Sequence, residues 1–141
     1  MHSGLRVLLA LTGATVLALG GATAVSAAPA AATEWKWGPI RSADGLAKAK
    51  GKVFVGQNGY AISGTVTDTR GPGCAWLRVR YQSSTNGRWR TVSFYNCVPG
   101  SGTFRKELGG VLQVKAQTCR GNSDRSTGSC SRAKTVYTQG S

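Results

Sequence analysis

Four cysteines, five carboxylates and one histidine are the residues through which this chain could do covalent, acid–base or metal chemistry. Cys74, Cys97, Cys119 and Cys130 stand 23, 22 and 11 residues apart. Zinc sites draw on close Cys pairs or on Cys with His, and these spacings supply neither. An even number of thiols without such partners predicts two disulfides instead. Oxidised sulfur is no longer a thiolate nucleophile. The carboxylates Glu34, Asp44, Asp68, Glu107 and Asp124 are scattered and form no acidic cluster for calcium or magnesium. A glycosidase-type carboxylate pair would have to be assembled from these distant acids. The histidine is His2, inside a segment that reads as removable, so His-dependent triads and Cys–His dyads are excluded from the remainder. There is no phosphate loop or dinucleotide fingerprint. The inventory predicts no catalytic residue, no metal, no cofactor and no small-molecule substrate.

The removable segment is an expected signal peptide over residues 1–27. Arg6 precedes a run of apolar and small residues from Val7 to about Val25. Val25-Ser26-Ala27 then places small residues at the −3 and −1 positions, which sets cleavage after Ala27. An uncleaved anchor is the alternative. The run is rich in Ala, Gly and Thr rather than Leu and Ile, which favours the cleaved, secreted form. Cleavage takes one Arg away and leaves 17 basic and five acidic groups, a formal charge of +12. Such a balance favours an anionic partner, whether nucleic acid, cell-wall polymer, anionic lipid or an acidic protein face. Secretion into an oxidising compartment also agrees with two disulfides. The Ala-, Gly-, Thr- and Arg-rich composition resembles small secreted proteins of high-GC actinobacteria.

Behind these residues stands a scaffold of short strands. Residues 28–41 read as an N-terminal extension: a spacer, Ala28 to Thr33, followed by Glu34-Trp35-Lys36-Trp37-Gly38-Pro39-Ile40. Residues 42–141 read as the folded domain. Ala43 to Ala49 has the makings of one helical turn, weakened by Gly45 and Gly51. Period-two alternation predicts strands over 52–55, 60–67, 75–82, 89–97, 103–108, 111–118 and 131–137. About seven short strands, two disulfides and no long helical period predict an all-β fold, a small immunoglobulin-like β-sandwich.

The middle hairpin provides an internal check. With Ser84-Thr85-Asn86-Gly87 as the loop, Leu77 faces Phe94, Val79 faces Val92 and Cys74 faces Cys97. One register aligns the apolar face and brings two thiols together, and a slip of one residue breaks both. The expected bridges are therefore Cys74–Cys97 and, as the most local remaining pairing, Cys119–Cys130. The same register turns Trp76, Arg78, Arg80, Trp89, Thr91, Ser93 and Tyr95 outward. Lys115 and Arg132 extend that face if the last hairpin is its neighbour. Aromatic rings beside guanidinium groups are the composition of a protein interface. They also suit single-stranded nucleic acid or a glycan. A face of self-stacking Arg and Trp without a partner is the plainer reading.

Trp35, Trp37 and Ile40 form a second candidate partner-binding element. On a mobile tether they would fill a groove of another protein. Alternatively, the segment is the domain's own first strand, with Trp35, Trp37 and Pro39 facing its own core. A secreted, disulfide-bonded β-domain with such a tethered segment resembles the small adaptor subunit of the umbrella toxin particles of Streptomyces. That resemblance implies a non-enzymatic adaptor joining a lectin-type subunit to a toxin-bearing polypeptide. Trp35 to Ile40 would dock the lectin subunit and the folded domain would hold the toxin repeats. It covers the general layout of the mature chain and rests on no short motif. Two other expectations stand beside it. The charge alone favours a cationic, antimicrobial binder of cell-wall polymer, nucleic acid or membrane. The Gly121–Gly128 loop, with Arg125 near its tip, would be the reactive loop of a protease inhibitor.

Overall fold

Alternating apolar and polar residues become strands here wherever a turn residue lets the chain reverse. A computed structural model describes residues 33–69 and 71–141. The expected signal segment and the spacer through residue 32 lie outside the described residues. Among the described residues there are nine strands and no helix: β1 (Glu34–Arg41), β2 (Ala47–Gly56), β3 (Gly59–Asp68), β4 (Cys74–Ser83), β5 (Trp89–Asn96), β6 (Gly100–Gly109), β7 (Val111–Gly121), β8 (Ser126–Gly128) and β9 (Lys134–Thr138). They form two antiparallel sheets packed as a sandwich. One has the order β1-β2-β3-β6, and the other β5-β4-β7-β8 with β9 also paired to β7. The two strands beyond the expected seven are β1, assigned from sequence to the extension, and β8, three residues inside the Gly121–Gly128 loop.

The middle hairpin has the expected register, with Leu77 opposite Phe94 and Val79 opposite Val92. Gly87 adopts a φ of +69° at its turn, a conformation that L side chains rarely take. Leu77 and Val79 are fully buried, and such side chains contribute about 1.5–3 kcal/mol each. Both expected disulfides are present: Cys74–Cys97 closes the β4–β5 hairpin and Cys119–Cys130 ties β7 to the segment before β9. Each closes a loop whose restriction is worth about 3 kcal/mol in the chain-entropy picture.

Residues 34–41 are not a tether outside the domain; the alternative holds, and they are its own edge strand, with Ile40 rather than Pro39 turned to the core. Trp35 pairs with Val53, Trp37 with Gly51 and Ile40 with Ala49. Trp37 and Ile40 belong to the core, at 7% and 2% exposure. The reason lies two strands away. Gly51 and Gly64 face each other across β2 and β3, and Phe104 on β6 faces Gly64. Two bare backbones leave a trough across the middle of the sheet. Trp37 and Phe104 lean into it from the outer strands until their ring centroids are 6.3 Å apart, although strands at those positions are separated by about 14 Å. Trp35 is half-buried and packs edge-on against Tyr137 at 4.7 Å and tilted against Tyr60 at 6.0 Å. Burial, and then the neighbouring phenol of Tyr60, push the Tyr137 pKa up to about 12. On the opposite flank of the sandwich Phe94 stacks on Phe104 at 4.7 Å.

Ala43 to Ala49 is not helical. Residues 43–46 turn, and β2 starts at Ala47. The Ser42 hydroxyl donates to Asp44 Oδ1 (2.6 Å) and accepts from the Ala47 amide (3.0 Å). The turn is pinned to the far sheet by Arg120 of β7. Its Nη1 donates to Asp68 Oδ1 at 2.7 Å and its Nη2 to the Pro72 carbonyl at 2.6 Å. Its Nε lies 3.7 Å from Asp44. Burial raises the Asp44 pKa, but the Ser42 hydroxyl, the Leu46 amide and Arg120 outweigh it and hold it below the ordinary value.

Candidate functional site

The five-stranded sheet contains no carboxylate: β4, β5, β7, β8 and β9 lack Asp and Glu altogether. Its outward positions follow from alternation. Leu77, Val79 and Phe94 face the core, so Trp76, Arg78 and Arg80 on β4 and Trp89, Thr91, Ser93 and Tyr95 on β5 face away. On β7 the register brings Gln117 opposite Arg78 and Lys115 opposite Arg80. Lys115 thereby joins the face. Arg132 lies outside the strands and is exposed.

Packing fixes several of these side chains. Trp76 stacks on Tyr95 with centroids 4.8 Å apart, and its indole N–H donates to the Asn122 carbonyl at 2.8 Å. That bond holds the β7–β8 loop against the sheet. Arg78 donates through Nη2 to Ser126 Oγ (2.7 Å) and through Nη1 to Gln117 Oε1 (3.5 Å). The Arg80 guanidinium lies over the Trp89 ring at 5.4 Å and the Lys115 ammonium at 5.3 Å. Arg80 and Lys115 are directly opposite like charges, an arrangement that costs stability. The electron-rich face of Trp89 offsets part of that cost.

Arg78, Arg80, Lys115, Ala116, Gln117 and Ala133 line a shallow pocket of about 160 Å³. Three cations meet there with no acid on their strands, so the lining is strongly cationic. Beside it Trp89 and Tyr95 remain 38% and 54% exposed, which supplies apolar contact area next to the charge. A larger open space of about 420 Å³ lies between edge strands β5 and β6 over Phe94 and Phe104. Its lining carries Arg105 and no carboxylate or thiol, and nothing there pairs an acid with a base.

Trp76, Arg78, Arg80, Trp89 and Tyr95 are thus brought together on one surface. Trp35, Trp37 and Ile40 are not part of it, being committed to β1 and the core. Sequence reading missed Gln117 and the Asn122 and Ser126 anchors. The parity of β7 relative to Lys115 could have found Gln117, whereas the loop contacts carry no local signal. Comparison with protein-family models, curated proteins and solved structures finds no match for this chain.

Proposed function

We propose that this protein is a secreted, non-enzymatic binding module that docks an acidic surface of another exported protein on the outer face of β5-β4-β7. The observation that carries this reading is the pocket formed by Arg78, Arg80 and Lys115 beside exposed Trp89, on a sheet without carboxylates. A partner Asp or Glu fits the pocket. Arg guanidinium recognises carboxylate through parallel N–H···O bonds, and the flanking rings exclude water around that contact. The two disulfides are compatible with an extracellular setting. An adaptor role, linking a toxin-bearing or lectin-type subunit, belongs to this reading with one change from the umbrella-particle layout. Docking is assigned to the sheet face, because Trp37 and Ile40 are held in the core. Deleting residues 28–41 would remove a strand and test folding rather than docking.

The test is affinity recovery of the tagged mature chain from the producer's culture supernatant, with bound proteins identified by mass spectrometry. Wild type and R80S/W89S are compared. Truncating one hot-spot residue costs about 2 kcal/mol or more, about 30-fold in affinity, so the double variant should lose at least that much specific recovery. Equal recovery of the same partner by the double variant would remove this face from the model.

A further inference from the structure

The outer face of the β1-β2-β3-β6 sheet has a different chemistry. Its outward positions on β2 are Lys48, Lys50 and Lys52. The register sets Arg41 directly opposite Lys48 and Lys36 directly opposite Lys52. On the other side of β2 the rows continue through Ser63, Thr65 and Thr67 of β3 to Arg105, Thr103 and Ser101 of β6. The Thr67 and Ser101 hydroxyls bond each other at 2.6 Å.

Like charges directly opposite on a sheet are destabilising. The register of β1 is held from the other side by Trp37 and Ile40, so Arg41 and Lys48 stay opposed against their own repulsion, while Glu34 offsets part of that between Lys36 and Lys52. The acids of this face are already engaged. Glu34 accepts from Lys52 at 2.7 Å, a bond that holds its pKa below the ordinary value, and Glu107 accepts from Arg105 at 2.9 Å. Among the described residues no carboxylate lies within salt-bridge distance of Lys36, Arg41, Lys48 or Lys50.

Four cations outside any salt bridge therefore lie along a hydroxyl-lined surface. Alternate residues of a strand are about 6.7 Å apart, and phosphates joined through a three-carbon spacer repeat at a comparable interval. We propose that this face binds a linear polymer of phosphodiester-linked polyols, laid along β2. Lys36, Arg41, Lys48 and Lys50 take the phosphates, and the Ser63, Thr65 and Thr67 hydroxyls take the polyol oxygens. Single-stranded nucleic acid fits less well, because its sites stack bases on open aromatic rings. The ring on this face, Phe54, is covered by Lys52 at 5.4 Å and Arg105 at 4.8 Å. The inference is independent of the aromatic face.

A synthetic glycerol-phosphate oligomer titrated calorimetrically into the mature chain tests it. Four phosphate contacts on a flexible polyanion should weaken binding about 50-fold between 50 and 200 mM salt, and two contacts about sevenfold. K48Q/K50Q should show the smaller salt dependence and weaker binding at low salt. R80Q/K115Q removes the same charge from the opposite sheet and should retain the wild-type salt dependence. Equal effects of the two double variants would mean a diffuse response to net charge and would overturn the assignment. Single-stranded DNA with the same number of phosphates, and phosphatidylglycerol vesicles, should both bind more weakly than the oligomer; tighter binding of either overturns the choice of polymer. K36Q/K48Q relieves both like-charge pairs and should unfold at the same temperature as wild type or higher. Unfolding at a lower temperature would mean that these cations serve the fold, against the proposal.

Discussion

Replacing Arg120 with Met is the sharpest test of how the two sheets are joined. Met keeps much of the side-chain length and removes the charge and every donor. Asp68 is 2% exposed, and its carboxylate would lose the 2.7 Å bond that pairs it. The Pro72 carbonyl would lose a 2.6 Å bond in the same step. Breaking a buried ion pair from one side costs about 3–5 kcal/mol, because the remaining charge stays out of water. An orphaned acceptor adds about 1–3 kcal/mol where water cannot reach it. The Pro72 loop is open to solvent on its outer side, so most of that second cost is recovered, and about 4 kcal/mol is expected in total. A domain of this size has about 5–15 kcal/mol to lose. Urea unfolding followed by tryptophan fluorescence reads the change directly. With a slope of about 2 kcal/mol/M, the midpoint should move down by about 2 M. Replacing Asp68 with Asn in the same chain removes the stranded charge, so the double variant should recover part of the loss. A midpoint within about 0.5 M of wild type for Arg120→Met alone would refute the claim that this pair clamps the sheets.

Two further outcomes follow from the same packing. Gly64→Ala places a Cβ 2.6 Å from the Gly51 Cα, against backbone that has no rotamer to change; overpacking of this kind costs about 1–3 kcal/mol or more, and an unchanged thermal midpoint would show that β2 and β3 can separate there. Tyr137, with its pKa raised to about 12 from the ordinary value of 10.0, contributes stability that is fully present below pH 10.0 and is lost as pH rises through the folded value. Spectrophotometric titration should show one phenol ionising late, together with alkaline unfolding, and four phenols ionising together near their ordinary value would contradict the packing of Trp35, Tyr60 and Tyr137.

Legibility from sequence tracked the range of the interaction. The β4–β5 hairpin was readable because its register is written twice within 24 residues, in the apolar alternation and in the Cys74–Cys97 match. The outward set Trp76, Arg78, Arg80, Trp89 and Tyr95 followed from parity alone. The pocket was less readable. Lys115 reaches Arg80 through the β4–β7 pairing, between residues 35 apart in the chain. The Ser126 anchor for Arg78 comes from a three-residue strand too short to leave a pattern. Nothing near Arg120 in sequence announces its partner Asp68, 52 residues away.

Period-two alternation, turn residues and the even set of thiols were enough, by themselves, to determine an all-β sandwich with two disulfides, since each acts between neighbours in the chain or across one tight turn. The fate of Trp35, Trp37 and Ile40 was decided elsewhere. An aromatic strand beside a flexible spacer carries the same pattern whether it docks on a partner or on its own sheet. Only the trough left by Gly51 and Gly64, shaped by two other strands and completed by Phe104 from a fourth, brings Trp37 into the core. Which cation of that sheet's outer face takes Glu34 was settled in the same way, by the β1–β2 pairing that brings Lys52 to it from 18 residues away.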